Sequence, residues 1–145
     1  MTATLIDDHV LGRLLTDSLR TADRRAVRGS DVFTTGCWYY RLCHAVRSDA
    51  VIEALSGPFH GVPPALRSEA VAALVALPDS VGLRSLRTLA PLMAELVEAH
   101  PLNLLALEAL AAATNLGATV VVDSTNRSLA LLAALETSGL RCRVV

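Results

Sequence analysis

Asp7 and Asp8 stand side by side in "TLIDDHVLGRLL" (4–15), at the end of a short apolar run, and His9 follows at once. Two neighbouring carboxylates repel each other unless a cation, a hydrogen-bond donor or water compensates them. Two readings follow from the residue types. The pair is either a divalent-metal site or a solvated turn in which one aspartate caps the next helix. His9 could carry a proton near neutral pH, or simply bond to backbone or water at the helix start. Asp123 closes a second apolar run, "TVVVD".

Whether these acids meet depends on the elements that carry them. Apolar runs predict strands at 2–6, 31–34, 81–86, 118–123 and 141–145. Helical periodicity falls at 10–20, 36–47, 49–55, 65–77, 89–99, 102–116 and 126–138, with the arginine-rich stretch 20–31 read as a short helix or exposed loop. Asp8 is placed to cap the first helix and Thr35 the one at 36; Pro64 opens the one at 65. Gly117 and Gly139 sit where helices end on glycine. Strands alternating with helices predict a three-layer α/β/α fold with a mostly parallel five-stranded sheet, in a single domain over 1–145. In such a sheet ligands bind beyond the carboxyl ends of the strands, at the switch point, so Asp7, Asp8 and Asp123 are expected to converge there.

Composition bounds the partners. The 145 residues are 52% hydrophobic with 3% aromatic, so the core is built from Leu, Val and Ala, and the apolar excess predicts a surface covered by a partner. Net charge is −1, and all 13 basic residues are arginine. No global field draws the chain to nucleic acid, and a catalytic lysine is excluded. Cys37, Cys43 and Cys142 lack the spacing of a metal site or disulfide framework and read as reduced thiols. No apolar run reaches a membrane span and no signal peptide opens the chain, which makes the expected location cytoplasmic. "CWYYRLC" (37–43) gathers Trp38, Tyr39 and Tyr40, either a stacking platform for single-stranded nucleic acid or core and dimer surface.

"LIDDH" followed by an amphipathic helix resembles the start of a response-regulator receiver domain. That family also needs a phospho-accepting aspartate after its third strand and a lysine, and the chain has neither. Over its whole length the chain resembles instead the PIN domain, the metal-dependent nuclease fold of VapC-type toxins. The order of elements carries the resemblance, together with the ending "LGATVVVDSTNRSLALLAALETSGLRCRVV". In that family the first strand ends in Asp and a second helix carries Glu. A later helix carries Asp some three turns before a Leu-Gly-Ala turn, and the next strand ends near another Asp.

Carried over residue by residue, the acidic set is incomplete. Asp7 fits the first position, and Arg41 in "TTGCWYYRLCHAV" falls where the family has Glu. Ala106 falls where it has Asp. At the fourth position Ser124 is in register and Asp123 lies one residue early. Glu108, about 200° around the helix from Ala106, is expected on a solvated face, whereas Asn103, one turn earlier, could offer an amide oxygen to the pocket.

The resemblance implies Mg²⁺ or Mn²⁺ on Asp7 and Asp123, generating a hydroxide that cuts RNA. Arg41 opposes this. A unit pair at 4 Å is worth about 4 kcal/mol at an effective dielectric of 20, so a pairing of Arg41 with Asp7 would neutralise the pocket without metal. The expectation is therefore a PIN-like protein with a degenerate nuclease site and a protein- or RNA-binding role, with Asp8 beside the pocket and Arg24, Arg25 and Arg28 joining Arg41 in a phosphate-contacting edge. Its alternative is an active endoribonuclease. The resemblance further implies a homodimer and a small DNA-binding antitoxin-like partner.

Overall fold

The computed structural model describes residues 2–47, 69, 73 and 75–145. In chain order these form β1 (Thr2–Ile6), α1 (Asp8–Leu15), α2 (Thr21–Val27), β2 (Ser30–Thr34), α3 (Gly36–Ala45) and β3 (Val81–Leu83). There follow α4 (Leu86–Ala99), α5 (Leu104–Leu116), β4 (Thr119–Val122), a 3₁₀ turn (Ser124–Asn126), α6 (Leu129–Thr137) and β5 (Cys142–Val144). All five strands are parallel, in the order β3-β2-β1-β4-β5, and helices cover both faces to give a three-layer α/β/α fold.

The chain steps outward from β1 to β2 to β3, then returns to place β4 on the other side of β1. The switch point therefore lies between β1 and β4, where Ile6 pairs with Val121. Successive strand residues face opposite sides of the sheet and serve two cores. Leu5, Val120 and Val122 pack with Trp38, Leu89, Leu110 and Leu135; Ile6 and Val121 pack with Val10, Leu11 and Val81. Residues 106–113 of α5 are all buried, as a Leu/Ala helix without a polar face requires.

The element boundaries differ from the sequence expectation where side chains cap. α1 spans Asp8–Leu15 rather than 10–20, because Asp7 caps it and the chain turns away through Asp17 in the left-handed region, φ 53°. β3 stops at Leu83 rather than 86, since Ser85 begins α4. The last helix starts at Leu129 because Ser124–Asn126 forms the 3₁₀ turn first. Thr35 does cap α3, accepting from the Trp38 amide, and Gly117 does end α5 at φ 60°. The helices read at 49–55 and 65–77, with Pro64, lie outside the described residues apart from Glu69, Ala73 and 75–77. Among the described residues no single helix is long and apolar enough to cross a membrane, and α4 and α5 meet at a bend of 111°.

Gly82 in the edge strand β3 has no room for a side chain, because a Cβ there would overlap the ring of Phe33. That ring is held in turn under the Arg84 guanidinium, 5.7 Å from its centroid. Gly82→Ala is expected to cost roughly 1–3 kcal/mol in urea denaturation, and adding Phe33→Leu should recover part of the loss.

Candidate functional site

Asp7 directly follows Ile6, and its extended backbone makes it the N-cap of α1. Its Oδ1 accepts the Val10 amide at 2.9 Å; its Oδ2 accepts the Asp123 amide at 2.8 Å and Nδ2 of Asn126 at 2.9 Å. The side chain has no exposure at all. Burial pushes its carboxyl above the ordinary range against the pull of these donors, and the charge of Asp8 adds to the rise.

Asp8 is the first residue of α1 rather than its cap. Arg41 reaches it from α3 as a two-pronged pair, Nε to Oδ2 at 2.8 Å and Nη2 to Oδ1 at 2.6 Å. Arg41 thus enters the acidic pocket, but its partner is Asp8 and not the expected Asp7. Nδ2 of Asn126 also donates to Asp8 Oδ1, at 3.2 Å, so one amide bridges the two neighbouring carboxylates.

Asp123 ends β4 and meets two arginines on one oxygen. Arg13 Nη1 and Arg20 Nη2 both stand 2.9 Å from its Oδ1, while Oδ2 accepts from the Thr125 amide at 2.9 Å and from the Thr125 hydroxyl. Burial would raise this carboxyl, but the Thr125 donors and Arg13 outweigh it and hold it far below the ordinary range. Arg13 forks onto Asp23 with its remaining nitrogens, at 2.8 and 2.9 Å. Asp23 also accepts the Arg20 amide at 2.8 Å. Burial opposes ionisation of Asp23 too, yet the two arginines bring its carboxyl down to about 2.

The switch point therefore gathers four buried aspartates (Asp7, Asp8, Asp23 and Asp123) with three arginines. Two residues expected there stand apart. Ser124 is exposed and its amide bonds to Val145, while Asn103 caps α5 by accepting the Ala106 amide at 2.9 Å. Glu108 is not solvated but 1% exposed, accepting the Cys37 amide at 2.8 Å. Sequence reasoning missed Arg13, Arg20, Asp23 and Asn126. Their signal was proximity in sequence: two arginines just after the acidic pair, and an asparagine three positions after Asp123.

Both oxygens of Asp7, Asp8 and Asp123 accept from N–H or O–H donors, so an ion placed on them would share those oxygens with the donors or displace them. Beside the network lies a cleft of about 300 Å³ reached by Asp8, His9, Gly12, Arg13 and Leu42. No family model and no curated protein matches the chain.

The lowered carboxyls make stability pH-dependent. Below about pH 3.9 the unfolded chain binds protons that folded Asp23 and Asp123 refuse, so their contribution is present above that pH. It is lost as pH falls toward about 2. Asp7, being raised, works in the opposite sense, and its contribution is lost as pH rises. The two lowered groups should dominate: unfolding free energy measured in urea is expected to drop between about pH 4 and pH 2. Asp23→Asn should flatten that slope and, by leaving Arg13 half-paired, cost roughly 3 kcal/mol at neutral pH.

Proposed function

We propose that the chain is a PIN-like relative of the toxin–antitoxin endoribonucleases whose acidic centre is closed by its own arginines, and that it acts by binding rather than cutting. The observation that carries this reading is the double hold of Arg13 and Arg20 on Asp123 Oδ1, seconded by the fork of Arg41 on Asp8. An incoming ion would have to displace guanidiniums that are tethered to the fold and already hydrogen-bonded, against a local charge that is nearly balanced. The parallel strand order with Asp7 and Asp123 at the switch point supports kinship with the nuclease fold.

What binds is a protein partner of the antitoxin kind, on a homodimer, in the cytoplasm. RNA is the secondary candidate, through the exposed Arg24, Arg25 and Arg28 of the α2 region. An active Mg²⁺- or Mn²⁺-dependent endoribonuclease using Asp7 and Asp123 is the second reading, favoured by their adjacency: the Asp123 amide donates to Asp7.

Thermal unfolding with and without Mn²⁺ separates these readings. The expected result is an unchanged Tm for the natural chain, and a rise of several degrees with Mn²⁺ once Arg13→Gln and Arg20→Gln free Asp123. Induced expression should leave growth unaffected. Mn²⁺-dependent stabilisation of the natural chain, with growth arrest abolished by Asp7→Asn, would establish the nuclease instead.

A further inference from the structure

The sheet has two open edges, and their side chains differ. β3 and β5 each have a neighbouring strand on one side only, and an edge strand invites pairing with another chain unless charge or cover prevents it. β5 is guarded by charge. Arg141 and Arg143 flank Cys142, and both are exposed. A two-fold antiparallel pairing about Cys142 would set Arg141 of one copy across from Arg143 of the other, like charge on like.

β3 carries no such guard. Its carboxyl end is apolar and basic: Leu83 and Leu86 are 39% and 50% exposed, Tyr40 beside them is 69% exposed, and Arg84 and Arg87 are exposed among them. Its entry is apolar and acidic, with Ala76, Pro78 and Asp79 all exposed. Among the described residues Arg84 and Arg87 have no carboxylate partner and Asp79 has no cation. Arg84 rests on the Phe33 ring instead. Large apolar side chains left open together mark a contact surface more often than scattered ones do.

The two ends of this edge complement each other, which is what a two-fold contact requires. Residues directly across an antiparallel pair share a face of the sheet, so a symmetric pairing opposes positions of like parity. Centred on Gly82, it sets Leu83 across from Val81, Arg84 across from Ser80 and next to Asp79, and Leu86 across from Pro78. The basic end of each copy then meets the acidic end of the other, and apolar side chains meet between them. The Val81 amide is already spent on the Pro78 carbonyl at 3.0 Å, so side chains rather than a full ladder carry the contact. We propose that the β3 edge docks a second copy of this chain, antiparallel about Gly82, with Arg84 against Asp79 of the second copy and Leu86 against its Pro78. The inference rests on the homodimer of the reading above and names its face.

The test is sedimentation equilibrium of the full chain up to about 100 μM, with urea unfolding to confirm that each variant keeps its fold. The natural chain should be a dimer. Arg84→Glu and Asp79→Arg should each weaken dimerisation at least about tenfold by bringing like charges together, and the two combined should restore it to within about threefold. Leu83→Lys, which sets a charge on the open edge, should leave folded monomer. A natural chain that stays monomeric would overturn this face and the homodimer together. A dimer that survives Leu83→Lys, or a double charge reversal that fails to rescue, would overturn this face alone and move the homodimer to another surface.

Discussion

Asp123 Oδ1 accepts from two guanidiniums at once, and the placing of the first two helices depends on that contact. Arg13 comes from α1 and Arg20 from the entry to α2, and both also hold Asp23 inside α2. A polar bridge therefore ties the α1–α2 pair to the end of β4. Taking ions out of water is expensive, and such a bridge persists only where geometry and further hydrogen bonds repay the desolvation. Here each acid is served on both oxygens. The planar fork of arginine makes this possible; a lysine, with one compact charge, could not span Asp23 and Asp123 together. At positions 13, 20 and 41 the all-arginine composition thus has a structural use.

Charge balance also explains which aspartate is left over. Among the described residues four buried carboxylates face three guanidiniums here, and the one without an arginine is Asp7. It is compensated instead by backbone amides and by Asn126, donors without formal charge, at the positive end of α1. Burial consequently outweighs the donors at Asp7, whereas at Asp23 the arginines win and at Asp123 the Thr125 donors with Arg13 do. Neighbouring acids in one pocket are driven in opposite directions because Asp7 lies deepest with only uncharged donors, whereas Asp23 and Asp123 are less deeply buried and meet arginines.

The parts of this arrangement legible in the sequence were those set by local rules. Alternation of apolar runs located all five strands, a threonine before Gly36 announced a cap, and Gly117 announced a helix end. The strand-end positions of Asp7 and Asp123 followed from the same alternation. What could not be read was pairing across the chain. Whether Asp7 or Asp8 caps α1 turns on one peptide's backbone angles, and whether Arg41 reaches Asp7 or Asp8 turns on how α3 packs against α1. Glu108 was misplaced for a related reason: helical-wheel reasoning assumes one wet face, and α5 has none along 106–113.

Glu108 then sharpens the contrast between the two acidic regions. Both are carboxylates buried beyond the carboxyl ends of parallel strands, where helix N-termini turn their free amides inward. In the aspartate network that positive field is supplemented by arginines tethered within the fold, which pair with the carboxylates directly. At Glu108 only the first turn of α3 and a neutral thiol answer the charge, and the surrounding apolar side chains remain uncovered. The same elementary requirement, that a buried carboxylate find donors, is met from within at one site and only partly met at the other. Helical-wheel reasoning puts Glu108 on a wet face, whereas burial in α5 leaves its charge to be answered by the Cys37 amide and thiol.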